Sequence, residues 1–102
     1  MNKGYFYASC TLSVFLLTPM MSNTVYAEFE GIRITSHAAD QSMPAVSGNR
    51  IVWQDSRNVA TSSDIYLYDL GTMTERAICT AVRVQMNPAI DGPRIVWQDD
   101  RW

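Results

Sequence analysis

Two short segments of this chain hold the side chains best suited to chemistry: Trp53-Gln54-Asp55-Ser56-Arg57 and Trp97-Gln98-Asp99-Asp100-Arg101. Their aspartates could offer oxygen to a calcium ion. Such an ion takes about six to eight oxygens from a spaced loop, and the Asp-x-Asp-x-Asp spacing is absent. Alternatively, each aspartate caps a strand end and pairs with Arg57 or Arg101, which fixes a loop and transforms nothing. The tryptophans could stack on a sugar ring, since indole is a large amphipathic surface. Their place next to Ile-Val in the middle of an apolar run suits core packing better. A grouping that occurs twice is what an architectural contact predicts, so aspartate–arginine pairing and buried tryptophan are expected.

The other reactive types are isolated. His37 is the single histidine, and Ser36 beside it does not make the serine, base and orienting acid of a nucleophilic triad. Cys79 has Thr35 as its counterpart 44 positions earlier, which marks it as a small strand residue. No Cys/His cluster has zinc spacing, and no Gly-rich phosphate loop is present. The sequence therefore assigns no catalytic, cofactor-binding or metal residue.

The elements that position these groups form an internal repeat. Pro44–Asp55 reads Pro-Ala-Val-Ser-Gly-Asn-Arg-Ile-Val-Trp-Gln-Asp, and Pro88–Asp99 reads Pro-Ala-Ile-Asp-Gly-Pro-Arg-Ile-Val-Trp-Gln-Asp. Aligned without a gap, Ile34–Asn58 and Ile78–Trp102 share twelve of 25 positions. A period near 44 residues is that of a four-stranded propeller blade, a unit that cannot bury its apolar faces alone. Strands are predicted at Arg50–Asp55 and Asp64–Leu70, both apolar on both faces. A further inner strand falls at Ala45–Val46, ahead of the Ser47-Gly48-Asn49 turn. Gly71-Thr72 marks a hairpin into an outer strand Glu75–Thr80, and Ile32–Thr35 is the matching outer strand of a preceding blade. Helical periodicity is absent.

Composition bounds the class. The chain has 102 residues and a net charge of −2. Lys3, the mostly apolar run Tyr5–Leu17 and the small residues of Val25-Tyr26-Ala27 predict a signal peptide over residues 1–27, cleaved before Glu28. The run is too short and too interrupted for a stable transmembrane span of about 20 residues, although an uncleaved anchor is the alternative. Residues 28–102 hold seven arginines and no lysine against ten acids, so no basic footprint for nucleic acid exists.

The pattern Pro-Ala-x-x-Gly-x-Arg-Ile-Val-Trp-Gln-Asp-x-Arg, followed by Asp-Ile-Tyr-Leu-Tyr-Asp-Leu, resembles the TolB-like β-propeller repeats of secreted and cell-surface proteins. The resemblance covers Ile32–Trp102 and is specific for the repeat type more than for function. It departs from WD repeats, since Gln54 and Gln98 separate tryptophan from aspartate. It implies an all-β chain: one complete four-stranded antiparallel blade plus parts of its neighbours, in an incomplete propeller over residues 28–102. The function implied is an exported, non-enzymatic binding or protein-interaction module at the cell surface or in the periplasm. Its protein or polysaccharide ligand is unspecified, and it needs no cofactor. Self-association or further blades are expected to close the ring. The alternatives are a fragment of a propeller-containing hydrolase or polysaccharide lyase, or a truncated gene product with no function of its own.

Overall fold

The structure is a computed structural model that describes residues 4, 6–14 and 27–101. Among them are eight strands and no helix: β1 (Tyr7–Val14), β2 (Ala27–Arg33), β3 (Gln41–Ser47), β4 (Arg50–Asp55), β5 (Asp64–Asp69), β6 (Thr74–Cys79), β7 (Gln85–Asp91) and β8 (Arg94–Asp99). The chain is all-β. Strands β3, β4, β5 and β6 lie side by side in that order as an antiparallel meander, flanked by the two-stranded sheets β1–β2 and β7–β8.

Local sequence accounts for the meander. β4 and β5 carry the β-branched and aromatic residues that fit a pleated surface, and they pair without a break from Arg50↔Asp69 to Asp55↔Asp64. Gly48 and Asn49 join β3 to β4, with Gly48 at φ 55. That angle suits the glycine-first, two-residue turn whose twist matches the strands it joins. Gly92, at φ 54, repeats the device between β7 and β8. Between β5 and β6 the Asp69 carboxylate accepts from the Gly71 and Thr72 backbone amides at 2.8 and 3.3 Å, tying down the turn.

The repeat extends to irregularities. The ladder slips between Ser42 and Ala45 in β3 and between Met86 and Ala89 in β7. Within these bulges Met43 (φ 52) and Asn87 (φ 54) occupy the left-handed region, each just before a proline. Proline has no amide to give the ladder, so a bulge is where a strand accommodates it.

Both faces of the central strands β4 and β5 are covered. On the front, Ile51 and Trp53 form a core with Ile34, and Phe6, Ile32, Tyr66, Tyr68 and Leu70 pack around it. On the back, Val52, Ile65 and Leu67 are buried, and β7 packs across β3, β4 and β5. Alternation puts successive residues on opposite sides, so Ile-Val-Trp in β4 serves two cores at once. This meets the expectation of strands covered on both sides.

The N-terminal half departs from the sequence expectation. β2 begins at Ala27 and ends at Arg33, so Ile34 and Thr35 lie just beyond it, and its partner is β1. Strand β1 lies within the expected leader, of which residues 1–3, 5 and 15–26 fall outside the described residues. The Ala27–Glu28 bond, the expected cleavage point, sits at the start of β2. Among the described residues no helix is long and apolar enough to cross a membrane.

Candidate functional site

Asp55 is the centre of the polar cluster that the fold assembles. It ends β4, where the strand direction aims its side chain along the same face as Trp53, two residues back. Trp53 Nε1 donates to Asp55 Oδ2 at 2.8 Å. The Arg57 backbone amide and Nε donate to Oδ1, both at 2.9 Å, and an Arg57 terminal nitrogen donates to Oδ2 at 2.7 Å. Four donors therefore meet one carboxylate whose side chain is 0 % exposed. Burial pushes its pKa up, but the bonds from Arg57 and Trp53 outweigh burial and hold it below the usual carboxylate range.

Arg57 is held from three sides. Its second terminal nitrogen donates to Glu75 of β6 at 2.6 Å, and its guanidinium carbon lies 4.0 Å from the centre of the Tyr66 ring. Bonding to Asp55 raises its pKa further above an already high value. Tyr66 in turn stacks on Trp53, with centroids 6.3 Å apart and planes at 24°. Burial raises the Tyr66 pKa, so the phenol stays neutral. Trp53, Asp55, Arg57, Tyr66 and Glu75 form one continuous lock across β4, β5, β6 and the loop after β4.

The second copy of the motif repeats the chemistry in a wetter setting. Trp97 Nε1 donates to Asp99 at 3.3 Å, and Arg101 contributes its backbone amide at 3.0 Å, Nε and one terminal nitrogen. These bonds hold the Asp99 pKa well below the usual carboxylate range. The pair is more open, with Asp99 and Arg101 side chains 19 % and 50 % exposed. The expected aspartate–arginine pairing is present at both sites. Both tryptophans donate their indole N–H to the aspartate; Trp53 is fully buried, which closes its ring to a sugar, and Trp97 is half-buried.

Three residues around the motif were not legible from it alone. Glu75 and Tyr66 join through strand pairing, at sequence separations that no local pattern marks. Asp64 is the third. It faces Asp55 in register and is fully buried, with no protein donor to either carboxylate oxygen. Gln41 and Gln85, 44 positions apart, also match: each side-chain amide nitrogen donates to the backbone carbonyl two residues before it, and each Oε1 is buried without a protein donor. A repeated buried polar residue was the one available signal.

His37 uses Nδ1 to accept from the Ala39 amide, a turn-forming contact. Cys79 is a free, half-buried thiol at the end of β6. Among the described residues no three His, Cys, Asp or Glu side chains gather to hold a metal ion. Comparison with protein-family models, curated proteins and solved structures gives no match.

Proposed function

We propose that this chain is an exported, non-enzymatic interaction module built from TolB-like propeller blades, with β3–β6 as one complete blade and β7–β8 as the start of the next. One observation carries the reading. A four-stranded antiparallel meander is followed by a hairpin that repeats its first two strands in sequence, turn and bulge, and that hairpin packs on the meander's back. Face-to-face stacking of equivalent sheets is how blades bury surfaces they cannot bury alone. The Asp55 lock supports a structural role for the polar cluster that the repeat supplies twice, since its donors and acceptor are spent on each other. Binding then belongs to the loops at the sheet ends, where function is grafted on such folds.

The reading is tested on chain recovered outside the cytoplasm. Its N-terminus should be Glu28, and it should be retained by an envelope protein or a polysaccharide on an array without altering either. Product release from a polysaccharide or peptide, lost in Asp55→Asn, would overturn it in favour of a hydrolase or lyase. Recovery of the chain solely in the cytoplasm would reject export.

A further inference from the structure

At the opposite end of β4 from Asp55, three turns enclose a polar hollow of about 310 Å³. It is lined by Ser47, Gly48, Asn49, Arg50, Asp69 and Gly92. The turns are tied to one another. The Gly92 amide donates to Ser47 Oγ at 2.9 Å, joining the β7–β8 turn to the β3–β4 turn. The Leu70 amide donates to the Asn49 carbonyl at 2.7 Å, joining the end of β5 to that same turn. Every lining residue therefore belongs to the meander or to the hairpin stacked on its back, and no further element is needed to build the hollow. Several polar groups inside it are unspent. Arg50 reaches Asp69 Oδ2 with Nε, at 3.6 Å, and among the described residues its terminal nitrogens have no partner. Asp69 Oδ1 is committed to the Gly71 and Thr72 amides, which leaves Oδ2 open to a donor. Asn49 is exposed and adds a carboxamide that both donates and accepts.

We propose that this hollow binds one uncharged sugar unit of a polysaccharide through two neighbouring hydroxyls. This rests on the interaction-module reading and names the ligand class for it. A hydroxyl both donates and accepts. Two adjacent hydroxyls therefore accept N–H bonds from Arg50 and Asn49 while one gives its O–H to Asp69 Oδ2. The charge balance disfavours an anion in the same place. Arg50 is offset by Asp69, and the neighbouring Asp91 by Arg94, so no net positive charge waits for a carboxylate or phosphate. An apolar side chain gains little here, because glycine, serine, asparagine and two charged groups give it scant apolar surface to cover. The volume lies at the lower end of the roughly 300–1,000 Å³ of small-ligand sites, which suits one ring. The turns are already held together, so binding costs little ordering. A few hydrogen bonds in an open hollow support millimolar affinity.

Amide NMR titration of the full chain tests this, with the methyl glycosides of glucose, galactose and mannose as probes and with acetate and phosphate as competitors. At least one glycoside should give saturable shifts centred on the Gly48, Asn49, Arg50 and Gly92 amides. Arg50→Gln and Asn49→Ala should each weaken that binding about tenfold or more. The Arg50–Asp69 pair is long and partly exposed, so its loss should leave the rest of the spectrum as in wild type. If Arg50→Gln disturbed the fold, Arg50→Lys would replace it, since lysine keeps the charge and loses the planar fork. Arg94→Gln, outside the hollow, should bind as wild type does. No saturable shift with any glycoside, shifts centred elsewhere, or variants that bind unchanged would each overturn the proposal. Saturation of those amides by acetate or phosphate and not by a glycoside would overturn it in favour of an anion site. None of those results touches the interaction-module reading, which fails instead on catalysis or cytoplasmic location.

Discussion

Asp55→Asn isolates the lock that joins β4, β5, β6 and the following loop. The carboxylate accepts four hydrogen bonds and is fully buried. An asparagine of the same shape keeps one oxygen, turns the other acceptor into a donor facing a donor, and removes the charge opposite Arg57. Breaking a buried ion pair from one side costs about 3–5 kcal/mol. Arg57 is 18 % exposed and keeps Glu75, which places the loss near the low end, about 3 kcal/mol. For a domain of this size each kcal/mol moves the melting midpoint by about 4–8 °C, so the midpoint should fall by about 12–24 °C. The assay is thermal unfolding followed by tryptophan fluorescence and circular dichroism, with and without millimolar calcium. Asp99→Asn should shift the midpoint much less, because water already reaches Asp99 and Arg101. Equal shifts in the two variants would refute the argument from burial. A calcium-dependent rise in wild type that disappears in Asp55→Asn would refute the structural role and make Asp55 a metal ligand.

Further outcomes follow from the same contacts. The folded Asp55 carboxyl titrates below its unfolded value, so its stabilisation is complete above about pH 4, near the ordinary carboxylate pKa. It is lost as pH falls through the folded value, and acid titration of Asp55→Asn should lack that part of the decline. Asp64→Asn changes a buried carboxyl group that no protein donor serves; urea titration should show a change within about 1 kcal/mol of wild type or a gain. A loss near that of Asp55→Asn would show that Asp64 holds a partner. Met43→Asn places the residue found at the equivalent bulge, Asn87, into a left-handed backbone. Since asparagine tolerates that region better, stability measured by urea should rise by up to about 1 kcal/mol.

The sequence by itself located the strands of the central meander. The 44-residue repeat, the Ser47-Gly48-Asn49 turn and the two-sided apolar strands placed β4 and β5 and located β3 and β6 to within a few residues. It also specified the aspartate–arginine pairs, because partners two residues apart at a strand end meet through local geometry alone. Tertiary structure decided the rest. Trp53 and Trp97 have the same neighbours in sequence, yet only Trp53 is sealed, because burial depends on which sheet lies opposite. Glu75 and Tyr66 reach the Asp55 lock through cross-strand register, a long-range relation that no local pattern encodes. Ile32–Thr35 read as an outer strand of a missing blade; the strand ends at Arg33 and pairs with Tyr7–Val14. A strand's partner is set by which unpaired edge is available to it, and edges are a property of the assembled fold.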